Sequence, residues 1–266
     1  MRATPGTIAL GDLRDHRRSI AIWAVAVAAV SAMYTSFYPT INSGDWTSML
    51  DSMPSGLMTA MGFDSLATAA GYVTSTVYSL IGLALLLVHG ISRGSRLIAG
   101  DEEDGVLELE LTAPVTRTST YVERLAALWL DLLIVVAAVT VTIVVLTLAL
   151  SLDISLGAVL VAGALVWVLV GMFSTLAFAV GAATGRRGTA LAVASGIAVA
   201  GYVLRAIGNL TGSSWMTSVS PFHWYLGSDP LGTGGVSGSG LALLVGLTAV
   251  CAVAGIVGLR GRDLMV

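Results

Sequence analysis

Six runs of about twenty apolar residues constrain this chain more than anything else in it. They cover roughly 19–37, 72–91, 125–150, 156–183, 189–208 and 241–259. A helix needs about 20 such residues to cross about 30 Å of hydrocarbon. Inside a bilayer every backbone N–H and C=O must be satisfied within the segment, which favours helices for runs of this length. The reading is an all-α membrane protein with six transmembrane helices. Charged residues make up 11 % of the chain, whereas soluble domains carry about 25 %, so its polar side chains are too few to cover it in water.

Arginine orients the spans. All 13 basic residues are arginine, and 12 of them fall on one side. Arg2, Arg14, Arg17 and Arg18 precede the first span. Arg93, Arg96, Arg117 and Arg124 separate spans two and three, Arg186 and Arg187 separate four and five, and Arg260 and Arg262 follow six. Segments 38–70, 151–155 and 209–239 contain none. The positive-inside rule therefore places both termini in the cytoplasm. The first run has a long charged segment ahead of it and no A-x-A site behind it, so it reads as a retained span rather than a signal peptide. No inverted or parallel repeat divides the sequence, and 1–266 is read as a single domain.

The non-spanning segments carry their own patterns. Thr4 to Arg18 combines Ile8 and Leu13 with Arg14, Arg17 and Arg18. It reads as an N-terminal amphipathic helix lying in the inner headgroup layer. Segment 38–70 interleaves prolines and glycines with Trp46, Met49, Leu50, Met53, Leu57 and Phe63, too apolar for a solvated loop. Trp215, Phe222, Trp224 and Tyr225 suit the headgroup boundary, and an interfacial or re-entrant element is expected around Pro221 before span six.

Ionisable groups inside spans are costly and are functional candidates by default. Asp131 lies about two turns into span three; it lines a cavity, pairs with a neighbouring arginine, or is a hydrated carboxylate near the inner boundary. Arg205, the one arginine away from the cytoplasmic side, reads as snorkelling to lipid phosphate or pairing with an outer aspartate, with substrate binding as the less favoured alternative. His89 reads as a satisfied or interfacial histidine. Thr74, Ser75, Thr76, Tyr78 and Ser79 cluster in span two, with Tyr78 and Asp131 as candidates for a substrate path; helix-to-helix hydrogen bonding explains the cluster equally well. Gly181 and Gly185 have the GxxxG spacing of close helix packing.

Several chemistries are excluded or weakened. The absence of lysine removes any P-loop of this chain's own, so ATP, if used, binds elsewhere. The single cysteine, Cys251, permits neither an internal disulfide nor a cysteine metal site, and no metal-ligand cluster is present. No basic patch outside the membrane flanks points to nucleic acid. Gly235-Val236-Ser237-Gly238 is similar to the GxSG of rhomboid proteases, but no histidine follows Ser237, and His223 precedes it. A carrier driven by protons or ions, with Asp131 as the titrating group, is the main rival to ATP-driven transport.

The most charged segment joins spans two and three: Asp101-Glu102-Glu103-Asp104-Gly105-Val106-Leu107-Glu108-Leu109-Glu110-Leu111-Thr112-Ala113-Pro114-Val115-Thr116-Arg117. It resembles the E-x-E-x-G-T-L-E-L-L-L-A-x-P-V-S-R stretch of ABC-2-type transporter permeases, the membrane subunits of type V-fold ABC exporters. The basic amphipathic start, the six spans, Ser220-Pro221-Phe222 and the ending Arg260-Gly261-Arg262-Asp263-Leu264 extend the likeness in order. Val106 replaces a usual threonine, and Glu110 stands at a usually apolar place. Residues 107–111 alternate with period two, which by itself suggests a strand; the resemblance implies a short cytoplasmic coupling helix there.

The resemblance further implies a dimer, formed with a second copy or a homologous permease, and two cytoplasmic ABC ATP-binding subunits. Those subunits would use ATP and Mg²⁺, with no cofactor bound by this chain. Asp101, Glu102, Glu103, Gly105, Glu108 and Pro114 would dock on the ATPase: the acids meeting basic groups, Gly105 allowing a tight turn, and Pro114 ending the helix. The implied activity is outward transport across the plasma membrane, and few span charges suggest a lipophilic or amphiphilic cargo.

Overall fold

A computed structural model describes residues 7–41, 68–105 and 116–261. The tryptophan- and methionine-rich part of the first outer segment, the 107–111 alternation, Glu108, Pro114 and the Arg262–Leu264 ending lie outside the described residues. No strand occurs among the described residues, and six helices are long and apolar enough to cross a membrane.

Helix α1 (Thr7–Asp15) is followed after one residue by α2 (Arg17–Ile41). Then come α3 (Ala69–Glu103), α4 (Arg117–Ala149), α5 (Leu156–Thr184) and α6 (Arg187–Thr211). Short helices α7 (Ser214–Val219), α8 (Pro221–Leu226) and α9 (Pro230–Thr233) lead into the last span, α10 (Gly238–Arg260).

Helix α5 is the axle. Its sequence is apolar all round, the pattern of a helix buried on every side, and it packs against α3, α4, α6 and α10. In its most apolar window 61 % of residues are buried, against 22 % in α6 and 17 % in α10. Those two outer helices leave Val199, Leu210, Val250 and Val257 exposed along their lengths. Such faces are stable only against lipid or another apolar surface.

Small residues set the closeness of the packing. A Cβ on Gly90 would lie 2.2 Å from Ser174 Oγ, and one on Gly94 would lie 2.3 Å from the Ser174 carbonyl oxygen. These glycines, four apart on one face of α3, let its backbone touch α5. Gly255 and Gly258 of α10 do the same against Ala179 and Ala183. The Gly181–Gly185 spacing is not such a pair: Gly181 contacts Ala99, whereas Gly185 ends α5 in the left-handed conformation at φ 64°. Gly94→Val is expected to cost about 1–3 kcal/mol through overpacking, measured as a lower Tm of the purified protein. Gly11→Val, at a position with open space around it, is its control.

Helix α3 is longer than the 72–91 apolar run and is not uniform. It widens into π-helical turns at Thr74–Tyr78 and Arg96–Gly100, with a break at Ser79–Leu80 between the first of these and Ile81–Ser95. Gly82 accommodates the first distortion, because a Cβ there would stand 2.5 Å from the Val77 carbonyl oxygen. Such π turns concentrate at functional positions in helices. The second runs directly into the acidic residues.

Candidate functional site

The arginine-rich end of the bundle is bolted together by charge. Asp131 of α4 is fully buried and has a partner for each oxygen. His89 Nε2 bonds Oδ1 at 2.9 Å, and Arg93 Nε donates to Oδ2 at 3.0 Å. His89 and Arg93 are four residues apart and so share one face of α3. Arg93 reaches on through Nη2 to Asp12 Oδ2 of α1, and His16 approaches the other Asp12 oxygen at 3.3 Å. Trp23 of α2 covers His89 with ring centroids 5.2 Å apart. One carboxylate thus joins α3 to α4, and Arg93 adds α1.

Hydropathy places Arg93 in a cytoplasmic loop; it sits instead within α3 with 9 % side-chain exposure. The helix extends because Leu97, Ile98 and Ala99 are buried and the arginine has two acids to meet. Asp131 lines neither the groove between α3 and α6 nor the cavity beside Ser237. Asp12 escaped notice because it lies in a segment dominated by basic residues, yet the i, i+4 spacing of His89 and Arg93 opposite a span-embedded acid was a readable signal. A further tie holds α1: the Ile8 N–H donates to Glu123 Oε2 of α4 at 2.9 Å.

A second set of contacts fixes the start of the acidic segment. Asp101–Glu103 is the last turn of α3 rather than a loop. Acids at a helix C-terminus face the negative end of its dipole, which is unfavourable unless cations compensate. Arg124 of α4, only 3 % exposed, supplies one: Nη1 donates to Asp101 Oδ2 at 2.7 Å and also to the Leu97 carbonyl. Glu103 Oε1 accepts from the backbone N–H of Arg187 at 2.8 Å, at the first turn of α6. Glu102 is half-buried, while Glu103 and Asp104 are exposed. Gly105 turns the chain at φ 73° with nothing within 4 Å of its Cβ position. Arg260 of α10 donates to Thr118 Oγ1 of α4 at 2.9 and 3.1 Å. The acidic turn therefore stands on a frame shared by α1, α3, α4, α6 and α10.

At the other end of the bundle, Tyr78 is 2 % exposed. Its hydroxyl approaches Thr140 without reaching good hydrogen-bond geometry, and Thr140 donates its own proton to the Val136 carbonyl at 2.9 Å. The element around Pro221 is the helix pair α7–α8. Ser220 caps α8, accepting from Phe222 N at 3.3 Å while donating to the Gly201 carbonyl at 2.8 Å. That anchorage turns Phe222 and Tyr225 inward, where both are buried. Ser237 and His223 line one cavity of about 300 Å³. Ser237 Oγ, however, is occupied as the cap of α10, accepting from Gly240 N at 3.1 Å, and among the described residues no hydrogen bond joins it to His223. Among the described residues there is also no group of three metal-ligating side chains.

Six helices long and apolar enough to cross a membrane, with an acidic turn on a braced frame and a short helix pair before the last of them, describe a multi-pass membrane protein. The chain matches the family described as ABC-2 family transporter protein over residues 6–264, and it belongs to that family. Members of this family generally work with an ATP-binding subunit. No curated protein matches the sequence closely.

Proposed function

We propose that the chain is the permease subunit of an ATP-driven exporter. It would pair with a second copy or a homologous permease and move a lipophilic or amphiphilic compound out of the cell. Both termini and the acidic segment face the cytoplasm, in agreement with the arginine distribution, and α1 lies along the inner face of the plasma membrane. A separate ATP-binding subunit, using ATP and Mg²⁺, docks on residues 100–117. Asp101, Glu102, Glu103 and Glu108 give that surface its charge, with Gly105 and Pro114 shaping its ends.

The observation that carries this reading is the tie of Asp101 to Arg124 and of Glu103 to the start of α6. A push delivered to the acidic turn cannot be absorbed locally. It passes to α4 and α6 through these bonds and, through Arg93 and Asp131, to α1. Asp131 is then a positioning group for the cytoplasmic frame, and Tyr78 belongs to the cargo path.

The test is co-expression with the cell's candidate ABC ATP-binding subunit, followed by purification and reconstitution in lipid vesicles. A stable complex is expected whose ATP hydrolysis exceeds that of the ATP-binding subunit alone by about tenfold, equivalent to about 1.4 kcal/mol in the barrier. Transport driven by a proton gradient in vesicles holding this chain alone would instead establish the carrier reading.

A further inference from the structure

The cavity beside Ser237 takes no part in the charged frame. It lies between α8, the turn that follows it and the first turn of α10. Its volume is about 300 Å³, at the lower end of the range of small-molecule pockets.

Four serines, Ser218, Ser228, Ser237 and Ser239, line it together with His223 and Trp224. A serine hydroxyl has one proton to give and two lone pairs to receive with. Ser218 gives its proton to the Ser214 carbonyl at 2.7 Å, and Ser228 gives its own to the Gly235 carbonyl at 3.0 Å. Ser237 and Ser239 lie 3.1 Å apart and share one proton between them. Trp224 Nε1 is spent on the Ser218 carbonyl at 2.6 Å. The four hydroxyls therefore keep one proton for a ligand, while the lone pairs of Ser218 and Ser228 stand open to it.

That imbalance selects the ligand. Carboxylate and phosphate oxygens only accept, and no arginine lines the cavity to attract them. An ammonium only donates, and no acid lines it either. Asp229, next to Ser228 in the chain, caps α9 instead, accepting from Gly232 N at 3.2 Å. A neutral hydroxyl does both. It donates to Ser218 or Ser228, and it accepts from the remaining serine proton or from the Ser239 N–H, which has no acceptor within α10. Several hydroxyls on one small body, with a C–H face to set beside the Trp224 ring, describe a single sugar.

The wall of the cavity also reaches the lipid. Leu243 lines it, and Leu247 and Val250 follow at i+4 and i+7. The three share one face of α10, and all are exposed. An apolar stripe thus runs from the polar cavity into the span. We propose that this cavity holds the uncharged sugar head of a glycolipid whose hydrocarbon lies along the Leu243–Val250 face of α10. Binding at this peripheral site does not depend on the exporter reading.

The test uses the full chain alone, without an ATPase. It is reconstituted in phosphatidylcholine bilayers holding equal minor amounts of glucosyl diacylglycerol and phosphatidylglycerol. After extraction in mild detergent, the retained lipid is counted by native mass spectrometry. Glucosyl diacylglycerol is expected to be enriched about tenfold over phosphatidylglycerol, the worth of about two neutral hydrogen bonds. Ser218→Ala with Ser228→Ala removes both open acceptors and should bring the enrichment to within about twofold. Ser218→Ala alone, at an exposed position, should lower it about threefold. Thr211→Ala is the control: its hydroxyl makes the same kind of bond, to the Ile207 carbonyl, without lining the cavity, and its loss should change nothing. Tm is followed for every variant, so that unfolding is not mistaken for lost binding.

Methyl glucoside at millimolar concentration is not expected to displace the lipid, because the hydrocarbon contributes to binding. Complete displacement by it supports the same head site with a free sugar as its occupant. Three results overturn the proposal: enrichment of phosphatidylglycerol, enrichment of neither lipid (the outcome if a second copy covers this face of α10), or enrichment equal in the native chain and the folded double variant.

Discussion

Asp131→Ala is expected to lower the stability of the purified protein by about 3–5 kcal/mol, the cost of breaking a buried ion pair from one side. The carboxylate is fully buried and accepts from both His89 and Arg93. Its removal leaves the His89 ring without its acceptor and Arg93 Nε without its own, with only Asp12 still paired to the guanidinium, in a buried helix interface. Asp131→Asn is expected to be intermediate in effect, because its amide oxygen can serve one donor while its NH₂ faces the other. The companion variant carries Asp131→Leu, Arg93→Leu and His89→Leu together. Replacing a whole buried ionic group by apolar side chains is often neutral or stabilising, so this triple change should recover most of the loss in Tm. The carrier reading expects otherwise: there Asp131→Asn folds normally and loses only its proton-driven transport. Thermal unfolding of the variants, read beside transport, separates the two.

The six spans were legible because membrane crossing imposes one simple rule, length in apolar residues, and the chain obeys it. Where the helices end was less legible. Arg93 and Asp101–Glu103 look like loop in any hydropathy reading, yet both lie in α3, because Asp131, Asp12 and Arg124 supply partners from other helices. Those partners are 38, 81 and 23 residues distant, and no local pattern encodes them. Asp131 and Tyr78 stood out in the sequence as isolated polar groups in apolar runs. Their neighbours did not: Tyr225 reads as an interfacial aromatic, and only the cap at Ser220 and its bond to Gly201 turn it inward. The close-packing glycines show the same limit. In a chain with 31 glycines, spacing alone cannot distinguish Gly90 and Gly94, which touch α5, from Gly185, which ends it.

Reversing charge on the acidic segment is the other change with a large expected effect. Glu103→Arg with Glu108→Arg places two cations where docking needs anions, and each like-charge contact with a basic partner surface costs several kcal/mol. Glu103 also accepts from the Arg187 N–H, so the reversal removes a structural bond as well. Glu103→Gln separates the two effects, because its amide oxygen keeps that bond while the charge is lost. The glutamine variant should retain the Tm of the native chain and lose only part of the coupling. The decisive measurement is ATP hydrolysis and ATP-driven transport by the complex reconstituted in vesicles, with native and doubly reversed permease compared at equal folded protein. If the acidic segment is the docking surface, the double reversal abolishes the permease-dependent part of hydrolysis, a fall of about tenfold or more, and with it transport. A doubly reversed permease that remains bound to the ATP-binding subunit and sustains native hydrolysis and transport would contradict the role assigned to the acidic segment.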